Sequence, residues 1–174
     1  MLDAEEQVLR GILGDLVFGV DDENMEAVVV RLLHERRLSL AAAESVTGGL
    51  VTARLTTVRH SSEVFRGGVI AYQPQVKYDL LGVAHGPVVT AEAAVTMAEG
   101  VAKLLGADVG LATTGVAGPD PLEGIEPGTV FVAVALPDGS HSAMVRLPGD
   151  RERVRQYSTI SLLDLLRRRL LALP

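Results

Sequence analysis

The chain contains no cysteine and no tryptophan, and only three tyrosines and three phenylalanines among 174 residues. Without cysteine there are no disulfides, no thiolate nucleophile and no thiolate metal site. The four histidines, at 34, 60, 85 and 141, are scattered, and no carboxylates cluster at ligand spacing, so no metal or other cofactor is expected. Scarce aromatics argue against base stacking on single strands. Lys and Arg number 16 against 22 Asp and Glu, and the formal net charge of -6 opposes binding to DNA or RNA through counterion release. No apolar run reaches transmembrane length, and the acidic start Asp3-Ala4-Glu5-Glu6 is unlike a signal peptide. These absences predict a cytoplasmic protein acting on a small molecule, with neither nucleic acid nor membrane as partner. Self-association into a homo-oligomer stays open.

What remains is 48% hydrophobic, and with so few aromatics the core must be Val, Leu, Ile and Ala. That composition suits strands buried on both faces. Residues 3–14 read as a short helix, broken by Phe18-Gly19-Val20-Asp21-Asp22. Asp21 or Asp22 can cap a helix to Arg37, in which Met25, Val28, Val29, Leu32 and Leu33 recur at helical spacing. A strand at 38–43, a helix from 47 to 57, a strand at 65–72 and a helix opened by Pro74 follow. Thr90 caps a helix ending at Gly106, and Asp108–Thr114 is the third strand. After a Gly- and Pro-rich loop at 115–128 come strands at 129–136 and 141–147, joined by Pro137-Asp138-Gly139, and a final helix after Gly149-Asp150. The alternation predicts a three-layer α/β/α fold with a mixed, mostly parallel sheet. Residues 1–21 form an N-terminal helix and linker, and 22–174 a single domain. Arg167-Arg168-Arg169 closes the last helix, where cations complement the helix dipole in solvent.

Three strand ends carry polar residues: Glu44-Ser45-Val46-Thr47-Gly48-Gly49, Tyr72-Gln73-Pro74-Gln75-Val76-Lys77 and Thr113-Thr114-Gly115-Val116-Ala117-Gly118-Pro119-Asp120. Adjacent parallel strands would bring them to one edge of the sheet, where open α/β folds hold ligands. Ser45 would then share a site with Tyr72, Lys77 and Thr114, and the glycine turns would offer N–H donors to an anion or a developing negative charge. A serine activated by a neutral lysine can perform acyl transfer without histidine. Each residue also has a plainer reading. Ser45 or Thr47 can be a helix cap, Lys77 a solvated helix lysine, Tyr72 an amphipathic strand end and Gly115-x-x-Gly118 a turn. Neither a dinucleotide G-x-G-x-x-G nor a P-loop is present. By themselves the residues support a small-ligand or anion site, with hydrolysis as one use.

Read in order, five segments resemble one family. They are Ala43-Glu44-Ser45-x-Thr47-Gly48-Gly49, Gly68-x-x-x-Tyr72, Lys77-x-x-x-Leu81-Gly82-Val83, Thr114-Gly115-x-Ala117-Gly118-Pro119 and Gly128-Thr129-Val130. The family is that of nicotinamide-nucleotide amidases, also known as the C-terminal domain of the competence/damage-inducible protein CinA. The resemblance covers roughly residues 22 to 172, and Leu16-Val17-Phe18-Gly19 resembles the joint that precedes this domain in two-domain members. It implies deamidation of nicotinamide mononucleotide to nicotinate mononucleotide and ammonia. Carried over by motif, Ser45 is the nucleophile, activated by Lys77 and Tyr72. Glu44, Thr47, Gly48, Gly49, Thr114, Gly115, Gly118 and Arg151 contact substrate or shape its site. Val46 stands where many members have cysteine. The loop Asp120–Pro127 departs further, with Glu126 where a basic residue is usual. Prolines at 119, 121 and 127 and glycines at 124 and 128 predict a surface flap, with Glu126 turned to solvent or neutralised by an arginine such as Arg151. Two rival readings follow from the same resemblance. One is a catalytically silent nucleotide-binding module, the other an accessory protein in competence or DNA damage.

Overall fold

The computed structural model describes residues 2–174. Its elements are α1 (Leu2–Leu13), α2 (Met25–Arg36), β1 (Leu40–Glu44), α3 (Leu50–Thr57), β2 (Phe65–Ile70), α4 (Pro74–Leu81), α5 (Ala91–Leu105), β3 (Val109–Gly115), β4 (Thr129–Leu136), β5 (Gly139–Arg146) and α6 (Arg151–Ala172). The sheet runs β2-β1-β3-β4-β5. β1 pairs with β2 and β3 in parallel, and β4 runs antiparallel to both β3 and β5. Four strands therefore point one way, yet parallel and antiparallel pairings are equal in number, because the single reversed strand lies inside the sheet.

Alternation along the central strands splits the core into two unlike halves. One face carries Leu40, Ala42, Leu111, Val130, Val132 and Val134 and packs against α2, α3 and α6 through Leu33, Leu55 and Leu162. The buried hydrophobic positions of the strands on the opposite face are all small, Ala41, Ala43, Ala112, Ala133 and Ala135, with the partly buried Phe131 beside them, and this face receives Met97, Ala98 and Val101 of α5. Small side chains let helix and sheet approach closely. A Cβ on Gly110 of β3 would collide with the Ala98 carbonyl, and one on Gly100 of α5 with the Leu81 carbonyl of α4. The close packing on this face runs from sheet to α5 and from α5 to α4.

Helix starts follow capping chemistry, with one relocation. Thr90 and Asp150 accept from the N–H of Ala93 and Arg153 and open α5 and α6. For α2 the cap is Asn24, which accepts from Ala27 N–H at 2.9 Å, not Asp21 or Asp22. Asp21 lies in a turn with φ of 51°, which delays the helix by two to three residues. At the far end of α6 only part of the arginine run is solvated. Arg167 is buried, donating to Asp164 and to the Asp15 carbonyl. It ties the segment after α1 to α6, while α1 leaves Val8, Leu9 and Ile12 exposed.

The consequence for function is topological. From the end of β1 the chain turns through α3 toward β2, and from the end of β3 it departs to β4 on the other side. The diverging connections open a crevice at the carboxyl ends of β1 and β3. The packing argument makes Gly110→Ala a specific probe. The substitution should destabilise the fold by about 1–3 kcal/mol or more, since α5 backbone must move. A chemical denaturation midpoint equal to wild type would show that the α5–sheet contact is looser than described.

Candidate active site

The turn after β1 is built by a buried carboxylate. Glu44 is fully buried, and one of its oxygens accepts from Gly49 N–H (2.8 Å), Val51 N–H (3.1 Å) and the Thr47 hydroxyl (2.7 Å). The other accepts from Thr52 N–H (2.8 Å) and the Thr52 hydroxyl (2.6 Å). A helix start normally leaves such N–H groups without partners, and a nearby side chain must satisfy them. Here the side chain comes from the strand before the turn. Glu44, expected to contact substrate, is thus spent on the start of α3. Thr47 shares that fate, its hydroxyl also bonding Thr113.

This arrangement decides how Ser45 is used. Neither Ser45 nor Thr47 caps α3, whose N-cap position is Gly49 with no side-chain cap bond. The Ser45 hydroxyl has no hydrogen-bond partner among the described residues, and the residue lines a cavity. The glycines also serve differently than expected. Gly48 and Gly49 precede the helix with φ of 58° and 100°, a backbone that other residues rarely adopt. Their N–H groups are occupied by Ser45 O and Glu44. Within this turn the N–H groups of Val46 and Thr47, directly after Ser45, have no acceptor among the described residues.

Lys77, on α4, is 1% exposed, one of the largest fully buried side chains. Its Nζ donates to the carbonyl of Ala71 at 2.8 Å and lies 3.5 Å from that of Tyr72. Ala71 in turn donates its N–H to Glu44 O, the residue before Ser45. The amine therefore sits on the strand end beside the serine turn. Burial pushes the Lys77 amine down from the ordinary 10.5 to about 8, against an opposing pull from the Glu123 carboxylate. The plain reading of a solvated lysine does not hold.

Tyr72, Gly115, Gly118 and Arg151 join Ser45 around the cavity, which has a volume of about 430 Å³. That falls in the range of small-molecule sites, ~300–1,000 Å³. Arg151, the first residue of α6, spans one side by donating to the Tyr72 hydroxyl (2.6 Å) and the Gly118 carbonyl (2.9 Å). The Tyr72 hydroxyl thus meets the arginine, while Lys77 reaches only the Tyr72 carbonyl. Gly115 has no room for a side chain, because β4 lies against its Cα. Thr114, expected in the pocket, is buried and gives its hydroxyl to Val88 O at 2.7 Å. The 119–127 loop covers the cavity through Pro119, Asp120, Pro121 and Leu122, while Glu126 is exposed and outside the lining. Of the two fates expected for Glu126, it is solvent. A larger hollow of about 660 Å³ between α4 and α5 contains none of these groups.

Two supports were not anticipated. Arg155 of α6 donates to Thr47 O at 3.1 Å, and Thr52 completes the Glu44 cluster. Arg155 stands four residues after Arg151, on the same helix face, and that spacing was its one sequence signal. Among the described residues no group of three or more His, Asp or Glu is placed to hold a metal ion. Among the described residues no helix is long and apolar enough to cross a membrane.

Comparison with known proteins agrees with the architecture. A family description, CinA C-terminal domain, matches residues 22–170. A CinA-like protein of Frankia casuarinae is 48% identical over 174 residues, covering 97% of this chain and 40% of its own length. Another CinA-like protein, from Dictyoglomus turgidum, is 42% identical, covering 99% and 44%. The chain thus spans roughly two fifths of the length of these curated relatives. Among solved structures, a competence-damaged protein (CinA) superfamily protein of Klebsiella pneumoniae superimposes with a TM-score of 0.83 at 28% identity, covering 87% of this chain and 100% of that one. An Escherichia coli protein of the same superfamily gives 0.80 at 27%, covering 89% and 97%.

The buried lysine carries a pH signature. An amine at about 8 when folded and 10.5 when unfolded leaves the unfolded chain holding more protons between those values, so its contribution to stability rises with pH there. Below pH 8 both states are charged and the burial penalty is fully present. Lys77→Met should therefore be more stable than wild type at pH 7, by a margin that shrinks between pH 8 and 10.5. Melting curves across that window check this, and a pH-independent margin would show the amine to be solvated.

Proposed function

The chain belongs to the CinA C-terminal domain family, and we propose that it is an amidohydrolase in which Ser45 attacks a carboxamide with Lys77 as its base. The observation that carries this reading is the pairing of an unbonded serine hydroxyl, at the mouth of a cavity, with a buried amine poised near neutrality on the adjacent strand end.

The steps follow from ordinary acyl-transfer chemistry. The neutral amine accepts the Ser45 proton as Oγ bonds to the carboxamide carbon, and the carbonyl π electrons move onto oxygen. The Val46 N–H, on the cavity wall directly after Ser45, is the donor that would stabilise that oxygen. Collapse returns the electron pair, breaks the C–N bond and passes the Lys77 proton to nitrogen, releasing ammonia and leaving a Ser45 ester. Water, deprotonated by the same amine, then cleaves the ester to a carboxylic acid and restores the serine. The residue resemblance to nicotinamide-nucleotide amidases supports nicotinamide mononucleotide as substrate, with Arg151 meeting its phosphate as a planar, permanently charged donor. Glu126, turned away, does not repel that charge.

Incubation of the pure protein with nicotinamide mononucleotide should release ammonia and nicotinate mononucleotide in equal amounts. Nucleotide binding without either product would assign the chain to the silent binding modules instead. Lys77→Arg keeps the charge but cannot lose its proton near neutrality, so turnover should fall at least ~100-fold while nucleotide affinity changes little. Wild-type turnover in that variant would remove Lys77 from the mechanism.

A further inference from the structure

A carboxylate outside the three turns occupies a costly position. Leu122 and Ile125 bridge each other across a two-residue hairpin, with N–H to O distances of 3.1 and 2.8 Å. Its central residues, Glu123 and Gly124, have φ of 54° and 74°. Turns of this kind favour Asn, Asp or Gly first, since a larger L residue is strained there. The glutamate is held by what its side chain reaches. Its oxygens accept from Val88 N–H at 3.0 and 3.2 Å and from Val89 N–H at 3.1 Å. The Val88 carbonyl takes the Thr114 hydroxyl, so the loop tip is tied to the end of β3. The same loop forms a wall of the cavity through Pro119 to Leu122.

Glu123 is also the carboxylate whose charge acts on Lys77. Glu123 is itself exposed and hydrogen-bonded, and the other acidic groups near that amine are likewise engaged or face solvent. Glu44 on β1 is consumed by the start of α3, and Asp79 on α4 is exposed and bonded to Gln75. On α5, Glu92 is exposed and Glu99 accepts from Ser140. The Ala71 and Tyr72 carbonyls contribute no net charge.

We propose that Glu123 is a positioning residue that clasps the 119–127 loop over the cavity and, while clasped, supplies the counter-charge to the Lys77 amine. The charge half of this rests on Lys77 being the base of the proposed reaction. With the loop closed, the carboxylate favours the ammonium that forms when Nζ takes the Ser45 proton. With the loop open, it is withdrawn and the neutral amine is favoured. A single side chain thus links covering the substrate to the readiness of the base.

The chain has only two lysines, Lys77 and the exposed Lys103, so lysine labelled at Cε reports Lys77 directly by NMR, without substrate. Removing the negative charge should lower the Lys77 midpoint. In Glu123→Gln it should fall by about half a pH unit or more below wild type, with Lys103 unmoved. Glu123→Gly removes strain with the carboxylate and so guards against misfolding. It should give the same fall and raise limited proteolysis within 119–127 at least about fivefold. Wild-type midpoints in both variants, or wild-type proteolysis in Glu123→Gly, would overturn the proposal. Neither readout needs turnover, so an inactive wild-type protein would defeat the amidase reading and leave the clasp to be judged on its own.

Discussion

A buried carboxylate organises this molecule. Taking a charge out of water is expensive unless it is fully hydrogen-bonded, and Glu44 meets that condition with three backbone N–H groups and two hydroxyls from the next eight residues. In doing so it satisfies the start of α3 from behind and forces the chain to double back between residues 45 and 49. Ser45 is left at the apex with a hydroxyl no internal group requires. Val46 and Thr47 are left with N–H groups that no group among the described residues accepts from. The groups to which the proposed reaction assigns attack and anion stabilisation are by-products of how one helix is capped.

The second constraint is the small-residue face of the sheet. Ala41, Ala43, Ala112, Ala133 and Ala135 let α5 lie close, and Gly100 lets α4 lie close to α5. The Lys77 side chain is buried, and its amine donates to the carbonyls of Ala71 and Tyr72 just after β2. Desolvation that would be a plain cost elsewhere makes the group a usable base near neutral pH.

Much of this was legible in the sequence because it rests on local signals. Strand-length apolar runs, Pro74 opening a helix, Thr90 and Asp150 as caps and the glycine-rich turns each announce themselves within a few residues. The clustering of three turns follows from strands that lie side by side. What could not be read depends on partners distant in sequence or on which donor wins. Asn24 displaced two aspartates as cap because the turn at 20–23 had to close first. Glu44, Thr47 and Thr114 looked like ligands because nothing local shows that their polar atoms are consumed internally. Glu123 was one acid in a loop of three, and its reach to Val88 and Val89 crosses more than thirty residues.

The central claim is that Ser45 is free for chemistry because Glu44 has relieved it of any structural duty. Turnover of nicotinamide mononucleotide by Ser45→Ala, measured beside its thermal melting, tests it most directly. The account predicts a loss of activity of at least ~1,000-fold, since the nucleophile is gone, with a melting midpoint close to wild type. Wild-type turnover in that variant, or its collapse as a fold, would contradict it.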